Sequence, residues 1–563
     1  MRALMSLALL AVSVLVVLGL GYRLYGGFVA RQYALDDGRV TPAERVNDGV
    51  DFVPTPPFYL LGQHFSAIAA AGPIAGPILA AKQFGWLPAL VWICLGVVFI
   101  GAVHDLSTLI ASVRHDAKSI AEVVKLNLGP RAGLAMLVFI WIALVYVIVA
   151  FTDVTAATFV AGDPEMEGLT FDFNPGGAVA AASVMYLTLA VVMGLVERFV
   201  KPPLWLVTVV FVPATLGVVW LGTKLSTVLM LGPTAWALII LAYCFVASLT
   251  PVWALLQPRG YLGGFVLYLA LGIGVVGLFF GGFEVQMPAF KGFAVPGAAG
   301  VLFPFLFVTI ACGACSGFHG LVCSGTTSKQ ISKESHCHPV GYGAMLMEGF
   351  VAVIALATVM ILSAKDLEGK GAGTIYGLGI GRFFAVLLGQ KHLSFAVTFG
   401  AMAFSTFVFD TLDVSTRLGR YILQELFGWK GRVGGLIATG LTVGVPLVFL
   451  LAAKAGSWLS FWTLFGTSNQ LLAALSLMGV TVWLKKQGRR YWYTLWPTAF
   501  VSVVTLSSLV LQMRDALSPG ASVVQQVNGG VAVALTALAA HVLGLGVRAL
   551  MHREAPPVAP VPA

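Results

Sequence analysis

The chain has 563 residues, of which 58% are hydrophobic and only 10% charged, and its formal net charge is +9. Soluble domains carry ~25% charged residues, so a water-soluble enzyme or regulator is excluded and the class is a polytopic membrane protein. The basic excess does not point to nucleic acid, because it sits in short loops beside apolar blocks, where Lys and Arg orient a protein in a bilayer.

A bilayer core roughly 30 Å thick takes about 20 apolar residues per helical crossing. About fifteen such blocks predict an all-α protein, near residues 3–21, 59–82, 86–112, 132–160, 177–195, 203–222, 234–250, 262–282, 299–325, 341–363, 393–411, 434–453, 458–484, 493–512 and 524–548. The first is read as a retained helix, since the bulky GYRLYGG after it offers no small-residue cleavage site. A polar stretch completes an N-terminal unit, 1–58.

The second block contains HFSAIAAAGPIAGP (64–77), in which Gly72-Pro73 and Gly76-Pro77 break an apolar helix beside His64 and Ser66. The third carries His104 and Asp105 in FIGAVHDLSTL, and the fourth carries Asp153. PVWALLQPRGYL (251–262), with its two prolines, reads as a turn. The ninth block is damaged like the second: ACGACSGFHGLVCSGTTSKQ (311–330) is rich in glycine and hydroxyls and holds His319. Glu348 lies in the tenth block, and FGTSNQLLAALSL (465–477) brings the amides Asn469 and Gln470 into the thirteenth. Asp413 and Arg417, four residues apart, read as an ion pair on one helical face.

If every block crosses once, the basic loops at 114–125, 197–201, 328–334, 416–432 and 485–490 share one side, and the acidic loop 161–172 faces the other. This places the N-terminus outside and the C-terminus in the cytoplasm. It also keeps 364–391 on the outer surface, with 374–390 as an interfacial or partly inserted hairpin element. Without the first helix, the remaining fourteen blocks divide into 59–290 and 291–550, leaving a flexible tail, 551–563. Seven crossings per half give the halves opposite orientation, an inverted repeat in which each half opens with a discontinuous helix.

Unwound backbone in lipid costs several kcal/mol per unpaired group unless protein or a polar cavity receives it. Two breaks at matching places therefore predict a shared central site, where half-helix ends face an anion. The solute-binding candidates are His64, Ser66, Gly72 and Pro73 on one side, and Ser316, His319, Ser324, Thr326, Thr327 and Ser328 on the other. The proton-coupling candidates are His104, Asp105 and Glu348, since ionisable groups at membrane depth are costly. Cys312, Cys315, His319 and Cys323 fall on one helical stripe, which cannot converge on a tetrahedral metal, so no metal is expected. No phosphate loop, HExxH or nucleophile elbow is present, so neither an ATP-driven pump nor a hydrolase is indicated and no cofactor is expected.

The strings NDGVDFVPT (47–55), HFSAIAAAGPIAGP, FIGAVHD, PVWALLQPRGYL, LFPFLFVTIACGACSGFHGLVCSGTTSKQ (302–330), GYGAMLMEGFVAVIAL (341–356), TLDVSTRLGRYILQE (411–425) and LFGTSNQLLAAL (464–475) resemble the carbon starvation protein A family, from about residue 47 to 480. That resemblance implies a multi-pass secondary transporter of the bacterial inner membrane with the broken-helix fold of the amino acid, polyamine and organocation superfamily. Its solute would be pyruvate, taken up with protons, or a short peptide, taken up during carbon starvation. Sodium coupling and a passive channel remain the alternatives. The expected partners are therefore the solute, the coupling ion and the lipid bilayer.

Overall fold

The computed structural model describes residues 6–49, 51–160, 162, 169, 171–294, 300–453 and 458–552. Most of the acidic loop 161–172, and the tail from residue 553, lie outside the described residues. The membrane-length and half-length helices are α1 Leu7–Gln32, α2 Pro57–Ile68, α3 Gly72–Phe84, α4 Trp86–Arg114, α5 Pro130–Phe159, α6 Pro175–Phe199, α7 Leu204–Lys224, α8 Pro233–Leu249 and α9 Leu256–Phe280. They continue as α10 Leu302–Thr309, α11 Gly317–Gly325, α12 Glu334–Met360, α13 Ala372–Leu388, α14 Leu393–Phe427, α15 Gly431–Ala452, α16 Trp458–Lys486, α17 Trp492–Ala516 and α18 Val523–Met551.

Among the described residues, twelve helices are long and apolar enough to cross a membrane, and the pair α2 and α3, bent by 48°, makes a thirteenth span. Adding the shorter α8 and the interrupted pair α10 and α11 accounts for every apolar block of the sequence. The fold is all-α, as the block pattern predicts. Burial separates the helices by role: α16 is wholly buried along its most apolar window, whereas α7 and α18 are largely exposed, as lipid-facing helices are.

One end of the molecule gathers the connecting segments. Asp37 accepts from the backbone and hydroxyl of Ser335, Thr55 N–H donates to the Gln330 carbonyl, and Arg489 donates to the Gln32 carbonyl at 3.0 Å. Lys486 reaches the Asn127 carbonyl at 2.9 Å, so the basic loops at 114–125, 328–334 and 485–490 share a face. Because 328–336 and 485–490 lie on that one face, an even number of crossings must separate them. The helices α12, α14, α15 and α16 supply four. The extra helix α13 therefore adds none.

Instead, α13 folds back on the first turns of α14. Its stripe Gly373, Gly377 and Gly381 meets Phe404, Ala401 and Val397, and small residues at four-residue spacing let two helices approach this closely. The segment 374–390 is thus mostly helix, buried on nearly every side up to Ala385 and packed also on α9 and α12.

A buried carboxylate fastens the basic face. Glu334 is 1% exposed and accepts from Arg114 Nε at 2.9 Å and Nη2 at 2.8 Å, from Arg39 at 3.0 Å and from the Asp36 N–H at 3.0 Å. The Arg39 arm is half-exposed and contributes little. Glu334→Ala would strand the nearly buried Arg114, at a cost of about 3 kcal/mol. Thermal unfolding in detergent should show a clear drop in midpoint, whereas Arg39→Ala should barely move it.

Candidate functional site

The two broken segments cross at the centre of the bundle. Gly72 packs against Cys312 and Gly313 against Pro73, while a Cβ on Gly76 would lie 2.6 Å from the Thr309 carbonyl oxygen and 3.2 Å from Ile310 Cα. No larger residue fits without forcing the backbones apart. Gly76→Ala should therefore lower the thermal unfolding midpoint in detergent, while Gly444→Ala in α15, which meets open space, leaves it unchanged.

The link between α10 and α11 leaves backbone groups without helical partners, and side chains from neighbouring helices take them. Trp92 Nε1 donates to the Ile310 carbonyl at 3.1 Å, Trp462 Nε1 to Thr309 at 3.2 Å, and Gln470 Nε2 to Phe307 at 2.9 Å. At the start of α11, the Phe318 N–H donates to Asn469 Oδ1 at 2.9 Å, and Asn469 Nδ2 donates to Ser316 Oγ at 3.1 Å and to Cys312 Sγ at 3.2 Å. Asn469 thereby does for α11 what an N-cap residue does, from a different helix. This is the work of the amide pair in FGTSNQ.

Beside the break lies a buried charge cluster. His319 Nδ1 meets Asp105 Oδ2 at 2.9 Å and its Nε2 meets Glu348 Oε2 at 3.1 Å; Asp105 Oδ1 meets His104 Nδ1 at 2.8 Å. All four side chains are at most 1% exposed. They come from α4, α11 and α12, so three helices are tied through one imidazole. Gly320 makes this possible, since a Cβ there would stand 3.2 Å from the His104 ring.

The candidates drawn from the sequence do not all converge. Asp105, His104, His319 and Glu348 converge, with His319 as the bridge between the carboxylates. His64 lies alongside, its Nδ1 2.8 Å from Thr327 Oγ1 and its Nε2 3.8 Å from Cys323 Sγ. Ser66 points the other way, to Gly264 of α9. Ser324, Thr326 and Ser328 end α11 on the basic face: Ser324 Oγ accepts from Ile120 N–H at 3.0 Å and donates to Gly320 O, Thr326 donates to Val322 O at 3.1 Å, and Ser328 Oγ lies 3.0 Å from Ser112 Oγ. Ser316 is engaged with Asn469. Among the described residues no group of three or more His, Cys, Asp or Glu is arranged to hold a metal ion.

A second buried charge centre replaces the ion pair expected between Asp413 and Arg417. Asp413 Oδ2 instead meets Arg259 Nε at 2.9 Å, and Arg259 Nη1 meets Asp410 Oδ1 at 2.6 Å. Arg417 turns to the carbonyls of Ala247 and Thr250 at the end of α8. Within PVWALLQPRGYL only residues 252–254 make a short turn; Leu256 onward is helix, which carries Arg259 into the bundle. Helical spacing points to Arg417, four residues from Asp413, and carries no signal for a partner some 150 positions earlier in the chain.

Broken helices crossing inside a helical bundle, with imidazoles and carboxylates buried against the break, define a multi-pass membrane transport protein. The family model for carbon starvation protein CstA matches residues 5–369 and 365–508, and the chain belongs to that family. The peptide transporter CstA of Bacillus subtilis (strain 168) is 34% identical, over 95% of this chain and 95% of that protein. The pyruvate/proton symporter BtsT of Escherichia coli (strain K12) is 31% identical, over 87% of this chain and 80% of that protein. A crystal structure of an Eremococcus coleocola manganese transporter variant superposes with a TM-score of 0.45 and 12% identity, covering 89% of this chain and 99% of that one. The chain is a membrane transporter and not an enzyme.

Proposed function

We propose that the protein imports a small carboxylate-bearing solute, pyruvate or a short peptide, across the bacterial cytoplasmic membrane in symport with protons. The observation that carries this reading is His319 held between Asp105 and Glu348 directly against the crossing of the two breaks. A cluster of two imidazoles and two carboxylates, shut away from water, changes net charge whenever a proton enters or leaves. Buried net charge is costly, so proton binding is tied to rearrangement of the three helices that share it. Relatives named as a peptide transporter and as a pyruvate/proton symporter support the same solute class and ion.

The solute lies, in this reading, against Ser66, Gly72 and Pro73, with His64 and the start of α11 at Ser316 opposite. Ser324, Thr326, Thr327 and Ser328 hold the inner end of the pathway, and Asp105, Glu348, His104 and His319 carry the proton. The halves 59–290 and 291–550 each contribute one broken helix and move as the two repeats of alternating access. The face bearing the basic loops is cytoplasmic, with the N-terminus outside and the C-terminus inside. A proton is favoured over sodium because carbonyls freed at the α10 break already accept from Trp92, Trp462 and Gln470, and Ser324, Thr326 and Ser328 are engaged with backbone or with one another. Vesicles holding the full chain, with labelled pyruvate or dipeptide outside, separate the readings. Concentrative uptake driven by a pH gradient and indifferent to replacing sodium with choline is expected. Uptake that needs sodium, or never exceeds equilibration, overturns it.

A further inference from the structure

The Arg259 centre shares no residue with the His319 cluster, and it pairs one buried guanidinium with two carboxylates. Arg259 is 1% exposed and faces two carboxylates that are not equivalent. Asp413, 2% exposed, also accepts from Tyr243 OH at 2.7 Å, so it is fixed from two sides. Asp410 is 24% exposed on its side chain and leans into space left by Gly263, where a Cβ would come within 2.8 Å of its Oδ2. The next residue, Gly264, turned about 100° away on the helix, lies in ordinary contact range of the broken helix α2, its Cβ position 3.4 Å from Ser66 Oγ. Gly263 thus makes room for the loosely held carboxylate beside the guanidinium, and one residue further on α9 meets the broken helix. Tyr186 OH donates to the Arg259 carbonyl at 2.9 Å, which anchors the backbone beneath the guanidinium.

We propose that Arg259 anchors the carboxylate of the transported solute, and that Asp410 occupies that position until the solute displaces it. A guanidinium inside a membrane protein must keep an anion beside it, and its planar fork takes one carboxylate as readily as another. Exchange of Asp410 for a solute carboxylate conserves that pairing, whereas an empty Arg259 would be a bare buried charge. Asp413 remains in place throughout and holds the fork in register. Asp410 needs only to swing toward its exposed side. This assignment rests on the reading that the solute carries a carboxylate.

Counterflow exchange in vesicles containing the full chain, with no ion gradient imposed, tests it using pyruvate, a dipeptide and the same dipeptide as its C-terminal amide. For the carboxylate solutes, Arg259→Lys should raise the KM by about tenfold or more, the effect of losing a bidentate fork while keeping its charge. Asp410→Asn should lower that KM several-fold, because the resident competitor is gone, and should leave the poor exchange of the amide unchanged. If wild type exchanges the carboxylate solutes but Asp410→Asn leaves their KM unmoved or raises it, this assignment is overturned and the transport reading stands. Equal exchange of the amide and the free dipeptide overturns it as well. If wild type exchanges none of the solutes, the carboxylate reading falls and this assignment falls with it.

Discussion

Glu348→Gln is expected to remove accumulation and spare exchange. Its carboxylate lies 3.1 Å from His319 and is fully buried, so the amide keeps the shape and a hydrogen-bonding group while ending proton exchange there. One pH unit is worth about 1.4 kcal/mol, which drives roughly tenfold accumulation when one proton accompanies each solute. Wild type in vesicles under such a gradient should approach that ratio. The variant should equilibrate to a ratio of one, with counterflow still running, because the path through the breaks is untouched. A variant that still accumulates solute would remove Glu348 from the coupling step. Loss of both activities would show that Glu348 is needed for the path itself.

His319→Leu is expected to be the most destabilising single change in the cluster. The imidazole meets Glu348 and is one of two that meet Asp105, and neither carboxylate reaches water. Removing one member of a buried, charged set costs about 3–5 kcal/mol, because the partner is left unpaired. The double change of His319→Leu with Glu348→Gln should recover much of that loss, since no uncompensated charge then remains on α12. Thermal unfolding in detergent and the yield of monodisperse protein read both. If His319→Leu unfolds like wild type, the bridge is not what ties α4, α11 and α12 together.

Most of the helical architecture is legible in the sequence because hydrophobic length is a local property. Every apolar block of about 20 residues becomes a helix, a bent pair or an interrupted pair, and the GP and glycine-rich breaks fall where the pattern puts them. The candidate site is legible in part for the same reason: Asp105, Glu348 and His319 are costly at membrane depth wherever they pair. Their pairing is not local, and the sequence does not carry it. His319 reads as a solute ligand from its place beside serines, yet it faces two carboxylates from other helices. Asp413 reads as the partner of Arg417 at helical spacing and turns to Arg259. Asn469 and Gln470 stand out as amides in an apolar run, but only the fold reveals that they satisfy the unwound backbone from outside. Asp410, charged at membrane depth in AFSTFVFDTLDVSTR, stands out by the same rule as Asp105, but its guanidinium partner comes from another helix, and Tyr243 has no local signature.

The breaks at 64–77 and 311–330 touch each other, as two walls of one site must. His64 sits beside Thr327 and Cys323, and Ser66 faces Gly264 of α9.

The most direct test is to load sodium-free vesicles containing the purified chain with a pH-sensitive dye and add pyruvate or a dipeptide with no gradient present. The account predicts acidification of the lumen that follows solute entry in wild type and is absent in Glu348→Gln. Solute entry by wild type with no change in lumenal pH would contradict it.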